Sequence, residues 1–173
     1  MCIRDRAYTD SKLHVHNIST AESVKLIKAA KAKKLKVTAS VSIMHLIFTH
    51  ESLESFDPNY KLTPPLREKK DAKALFKGIQ DGTIDVINSN HTPLEIEAKK
   101  LEFVYADFGI IGLQTIFALL NTHFGDKLTP ETLVNLLAIQ PRKILNLPIP
   151  TLCLLYTSPS PRDATLSRMP SSA

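Results

Sequence analysis

The sequence predicts an α/β fold of parallel βα units, amounting to half of a (β/α)8 TIM-type barrel. Three observations predict it. Strand-like runs with a period of two alternate in order with helical runs along the chain. The loops that leave the strands are short and polar. No glycine-rich phosphate loop follows any strand, which counts against the structural alternative, a doubly wound sheet.

The elements follow in order. Leu13 to Ser19 is a short β-type run, and Thr20 is placed to cap a helix running to about Lys34, with Val24 and Ile27 at helical spacing. Lys36 to Val41 sets Val37, Ala39 and Val41 against Thr38 and Ser40, a second strand. A short helix is expected over Glu51 to Phe56, ended by Asp57-Pro58, and a brief third strand over Tyr60 to Thr63, closed by Pro64-Pro65. Glu68 to Ile79 reads as a helix with Leu75, Phe76 and Ile79 on one face and Gly82 in the turn beyond. Ile84 to Ser89 is a fourth strand. A loop of about twenty residues follows, long enough to suggest function rather than connection. Helices over Ile110 to Asn121 and Pro130 to Ile139 complete the chain, the second capped by Thr129 with proline at its first position.

The two ends read differently. Met1 to Arg6 is what ATG TGT ATA AGA GAC AG, the end of a transposon-based sequencing adapter, encodes with one further base. Its reverse complement, read from the second base, gives Cys153 to Thr157. One DNA element thus accounts for both ends, and residues 1–6 and 153–173 are expected to be adapter-like and unpacked, flanking a partial barrel over 7–152 that carries four strands. The plainer reading of the tail is a natural Ser/Pro-rich disordered segment.

Composition narrows the function classes. Both cysteines, Cys2 and Cys153, fall in those ends, so the body offers no disulfide or thiolate metal site, as suits a reducing, cytoplasmic compartment. Four of the 22 Lys/Arg and two of the 17 Asp/Glu also fall there, leaving +3 in the body against +5 overall. The lysines cluster on a helix as a solvated face. With aromatics at 6% and none interleaved with basic residues, nucleic-acid binding is not expected. No run of eighteen apolar residues offers a membrane span.

In a barrel, chemistry sits at the C-terminal ends of strands. Three stretches qualify: His14-Val15-His16-Asn17, Met44-His45-Leu46 and Asn88-Ser89-Asn90-His91-Thr92-Pro93. A single histidine in any of them is more often structural than a ligand.

The run LHVHNISTAESVKLIKAAKAKKLKVTASVSIMHL, then KLTPPLR, DGTIDVINSNHTP, FGIIGLQT and QPRKIL, resembles successive blocks of the dihydroorotases, in order and at appropriate spacing. The likeness spans about Ser11 to Pro148. It implies the C-terminal half of a (β/α)8 barrel of the amidohydrolase superfamily. In that family paired zinc ions activate the water that opens or closes the dihydroorotate ring, with carbamoyl aspartate as the open form. It also implies an oligomer for the whole protein.

The resemblance carries over position by position. The family's second strand-end histidine falls on His45. Its first, in a His-Val-Ser-Thr context, falls on Asn17. The catalytic aspartate, in an Asp-His-Ala-Pro context, falls on Asn90, and the substrate-contacting histidine four positions on falls on Leu94. The first-strand His-x-His pair and the bridging ligand belong to earlier strands, outside this chain. An amide holds zinc only weakly where neutral imidazole is a standard ligand. Asparagine at 90 cannot take a proton at working pH, so general-base duty is lost. Strand parity would set His14 and His16 on one face and Asn17 on the other, so that neither histidine could substitute at position 17.

Each residue also has a plainer reading. His45 can be a buried, hydrogen-bonded histidine, and Asn17 and Asn90 can satisfy backbone groups. Three functional readings therefore stand. One is a family member with a degenerate site, such as the non-catalytic relatives that partner aspartate carbamoyltransferase. The second is an active cyclic amidohydrolase with an altered site. The third is a truncated reading-frame product with no function of its own.

Overall fold

Three parallel strands and the helices between them organise residues 11–149, the part of the chain described by the computed structural model. Strand β1 (Leu13–Val15) lies beside β2 (Val37–Ser42), with His14 opposite Thr38. Strand β3 (Val86–Asn88) lies on the other side of β2, with Ser42 opposite Asn88. The order β1-β2-β3 is that of consecutive βα units.

Helix α1 (Ala21–Ala32) starts where the sequence places it. Thr20 Oγ accepts from the backbone N–H of Ser23 at 3.2 Å, and the carboxylate of Asp71 accepts from that of Ala21 at 2.8 Å. Two orphan donors at a positive helix end thereby find oxygen acceptors. Val24, Ile27 and Ala30 form the buried face. They meet helix α3 (Lys69–Gln80), which buries Leu75, Gly78 and Ile79. Glycine is needed at 78, since a Cβ there would stand 3.1 Å from Val24 Cγ1 and 3.2 Å from Ile84 Cδ1. Ala39, Val41, Leu75 and Ile87 share one core cluster with α1. Truncating so enclosed a residue as Leu75 to alanine costs about 2–5 kcal/mol. Asp85 ties helix to sheet: its carboxylate accepts from Lys31 Nζ and from the Ala39 backbone N–H, each at 2.8 Å.

The alternation along β2 divides the sheet into two faces. Val37, Ala39 and Val41 go to the helices, so Thr38, Ser40 and Ser42 lie on the opposite face.

Several sequence expectations need correction. Tyr60 to Thr63 is no strand: Pro58–Tyr60 is a 3-10 turn capped by Asp57, and the chain then passes through Leu62 to the cis Thr63–Pro64 bond. The described residues therefore hold three strands, not four. Leu62 is buried without pairing, which explains why an apolar alternation there resembled a strand. Glu51 to Phe56 gives only a 3-10 turn, His50–Leu53. Strand β1 stops at Val15 instead of Ser19. A helix that the sequence did not announce, α2 (Ile43–Ile47), begins directly after β2, with Ser42 Oγ accepting from the Met44 N–H at 3.2 Å. His45 therefore sits in the short helix that opens at the C-terminal end of β2, three residues past the strand.

The long loop after β3 holds a short helix, α4 (Ile96–Lys99). Helix α5 (Ile116–Phe124) starts later than expected. Helix α6 (Pro130–Val134) passes into a π-helical turn, Asn135–Ile139, and then into α7 (Gln140–Ile144). The adapter-like segments 1–6 and 153–173, with both cysteines, lie outside the described residues.

Candidate functional site

The C-terminal ends of β1 and β3 bring three asparagines together. Beyond Val15 the chain leaves the extended conformation, and Asn17 takes a left-handed φ of 51°. Asn90, two residues past β3, does the same at 48°. Asparagine tolerates this region far better than branched residues do. The two bends turn the side chains toward each other. Asn17 Nδ2 donates to Asn90 Oδ1 at 2.8 Å, and Asn88 Nδ2 donates to Asn17 Oδ1 at 2.7 Å. The backbone N–H of Asn90 donates to Asn88 Oδ1 at 3.0 Å, closing a ring of three residues. Asn90 Nδ2 reaches the Thr63 carbonyl at 3.3 Å. Asn17 and Asn90 thus meet. Asn88, which lies in the same candidate strand end as Asn90, joins them, though nothing in the sequence assigned it a role of its own.

His45 leans on the same loop as Asn90, one carbonyl further on. Its Nε2 lies 2.9 Å from the Pro64 carbonyl, which can only accept, so Nε2 carries the proton. Nδ1 is buried with no hydrogen-bond partner among the described residues, and the side chain is 3% exposed. Burial pushes the imidazole pKa below its usual value, against the Pro64 and Pro65 carbonyls, which raise it.

Leu94 lines a small cavity of about 240 Å³ with Asn59, Thr92, Lys99, Gly109, Ile110 and Ile111. Gly109 permits the fit, since a Cβ there would come within 2.9 Å of Leu94 Cδ1 and 2.7 Å of the Thr92 carbonyl. The wall beside it is held by two lysines. Lys61 Nζ donates to the carbonyls of Phe103, Val104 and Ala106 at 2.6–2.9 Å, and Lys99 Nζ donates to those of Pro58 and Asp107 at 2.9 Å.

His14 Nε2 and His16 Nδ1 both approach Ser40 Oγ, at 3.2 and 3.0 Å, and the Asn17 backbone N–H donates to the same hydroxyl at 3.2 Å. The Asn17 side chain accepts from Asn88, the residue opposite Ser42, so strand parity does not separate it from the two histidines. Alternation presupposes extended backbone, and the left-handed turn at Asn17 ends it. His91 faces elsewhere, its Nδ1 accepting from the Gly112 N–H at 3.3 Å.

A catalytic zinc takes about three imidazole, thiolate or carboxylate ligands from the protein. Asn17 and Asn90 offer amides already satisfied by each other, and His45 offers one lone pair. Among the described residues, no group of three or more His, Cys, Asp or Glu is placed to hold a metal ion. The residues present do not fit zinc.

Parallel βα units with a polar cluster at the strand ends define an α/β protein. Its structural neighbours are TIM-barrel enzymes of the amidohydrolase superfamily, each matched over only part of its length. L-hydantoinase (dihydropyrimidinase) from Arthrobacter aurescens aligns with a TM-score of 0.76 at 24% identity, over 83% of this chain and 33% of its own. The inactive dihydroorotase-like domain of the CAD-like multifunctional protein from Chaetomium thermophilum aligns at 0.65 and 25% identity, over 85% of this chain and 40% of its own. In sequence, the dihydroorotase of Carboxydothermus hydrogenoformans is 48% identical over 142 residues, 81% of this chain and 33% of that protein. The chain belongs to the dihydroorotase family, and it spans about a third of the length of the curated relatives it matches. No family model matches it.

Proposed function

We propose that this chain is a piece of a dihydroorotase-family protein of pyrimidine biosynthesis whose own metal site is degenerate. On this reading the whole protein acts as a structural partner of aspartate carbamoyltransferase. Its three parallel strands belong to the C-terminal half of a (β/α)8 barrel, and it works in the cytoplasm as an oligomer. No helix among the described residues is long and apolar enough to cross a membrane.

The observation that carries the reading is the closed asparagine ring. The family resemblance assigns an imidazole to position 17 and a carboxylate to position 90. Here the two side chains satisfy each other as amide donor and acceptor. Neither can be ionised, and neither leaves a strong donor atom free for a metal. A neighbour that shares the fold and is itself described as inactive supports the same reading.

A second reading rests on the 48% identity to a protein named a dihydroorotase. It is an active zinc-dependent cyclic amidohydrolase acting on dihydroorotate or carbamoyl aspartate, with ligands drawn from elsewhere in the whole protein. Metal analysis and turnover separate the two. The degenerate-site reading expects the whole protein to purify nearly free of zinc, to leave dihydroorotate unopened and to bind aspartate carbamoyltransferase in gel filtration. Stoichiometric zinc with turnover would establish the second reading.

A further inference from the structure

We propose that His14 and His16 form a bidentate site for a divalent transition-metal ion on the Ser40 side of the sheet, separate from the family's metal positions. His14 lies in β1 and His16 directly follows it, and both side chains reach Ser40 on β2. Both rings are exposed, tilted 44° to each other with centroids 6.4 Å apart. More telling is the direction in which they point. His14 Nε2 and His16 Nδ1 converge on one atom, Ser40 Oγ, which is 1% exposed and fixed in the centre of the sheet.

A hydroxyl has one proton to give. Ser40 Oγ already accepts from the Asn17 N–H, so it can donate to only one of the two rings. The other ring must present its proton to Ser40 if that bond is to form, and the pair competes for one small polar centre. A cation removes the competition, because it takes a lone pair from each ring and leaves the hydroxyl to Asn17. With metal–nitrogen distances of about 2.0 Å, two neighbouring imidazoles on one ion stand roughly 5 Å apart. Closing the present gap needs only rotation of exposed side chains between staggered positions.

Burial and then the neighbouring charge of His16 hold the His14 pKa below its usual value, against a smaller contribution from Asp85. Neutral imidazole is the metal-binding form. With two nitrogens, hydroxyl oxygens nearby and water for the remaining positions, the donor set suits Cu²⁺ first and Ni²⁺ or Zn²⁺ more weakly. The site is open and has too few protein ligands for zinc catalysis. It therefore stands independently of whether positions 17 and 90 are degenerate.

The test titrates Cu²⁺ into the 173-residue chain and reads nitrogen hyperfine structure by electron paramagnetic resonance. One ion per chain with two equatorial nitrogens is expected. Changes to groups that merely orient a ligand cost about 10–100-fold in metal affinity, so His14→Ala or His16→Ala should each cost at least about tenfold and leave one nitrogen. His123→Ala, on a distant helix, should leave the signal unchanged, and His14→Gln should lose the nitrogen while keeping a polar partner for Thr38. Copper binding that survives the double replacement of His14 and His16, or no binding at all, would overturn the proposal. Neither outcome bears on zinc content or turnover of the whole protein.

Discussion

Asn17 and Asn90 lie 73 residues apart in sequence and are joined by an amide hydrogen bond of 2.8 Å between the ends of β1 and β3. The bond spans the width of the sheet, since β2 separates the two strands. Both residues take left-handed bends where they meet. The pair is therefore a structural clasp at the place where the resemblance sets metal chemistry.

The clasp should be worth measurable stability. Asn17→Ala leaves the half-buried Asn88 Nδ2 and Asn90 Oδ1 without these partners, at about 0.5–1.5 kcal/mol for each hydrogen bond lost. It also places a Cβ-bearing residue with no local hydrogen bond at a φ of 51°, for roughly 1 kcal/mol more. Asn17→Gly removes the same bonds without the strain. Urea unfolding should rank the alanine variant below the glycine variant, and both below the native chain. Equal stability in all three would mean that the ring contributes nothing.

Much of this arrangement was legible in the sequence, for identifiable reasons. Helices α1 and α6 were placed by Thr20 and Thr129, whose hydroxyls accept from the N–H groups three residues on. Strand β2 was placed by period two. Helix α2 was missed because Ile43 and Met44 continue an apolar run, and only Ser42 Oγ turns it into a helix. The meeting of Asn17 with Asn90 could be expected only through the family resemblance. The role of Asn88 and the turn of His16 toward Ser40 depend on backbone bends that side-chain periodicity does not encode.

Lys61 should hold the loop that walls the Leu94 cavity. Its ammonium group donates to three carbonyls and lies 4.8 Å from the Phe108 ring centre. Lys61→Met keeps the aliphatic stem but leaves those carbonyls to water. A loss of about 2–3 kcal/mol is expected, in line with hydrogen bonds to charged groups. Hydrogen exchange should show faster opening at Tyr105 and Ala106, whose own N–H groups bond to the Glu102 carbonyl. Unchanged exchange there would assign the loop's order to its apolar contacts instead.

His45 should make the fold sensitive to mild acid. Its pKa is lowered in the folded chain by burial, whereas the unfolded chain titrates near the ordinary value of about 6.5. Below that pH the unfolded chain binds a proton that the folded chain refuses. Stability is therefore present above about pH 6.5 and falls as the pH drops toward the folded pKa. His45→Gln, which can still donate to the Pro64 carbonyl, should flatten that dependence below about pH 6.5 while costing little at pH 8. A slope unchanged by the substitution would assign the acid sensitivity to the other histidines.

The strongest check on the degenerate site is to rebuild it. In the whole protein, Asn17→His and Asn90→Asp together restore the imidazole and the carboxylate that the family resemblance assigns to these positions. Both replacements suit their backbone, because histidine and aspartate are enriched, like asparagine, in the left-handed region that residues 17 and 90 occupy. Zinc binding should appear only in the double variant. Either change alone leaves an amide in the set, and catalytic zinc takes about three protein ligands, so both restored side chains are needed together with His45. Substrate handling is a separate matter. Leu94 lines an apolar cavity against Gly109 and Ile110, so turnover is expected only when Leu94→His is added. Zinc per chain by plasma emission spectrometry and dihydroorotate opening at 230 nm would read the two steps independently. Metal in either single variant, or turnover in the double variant with Leu94 intact, would show that these positions do not act as a set.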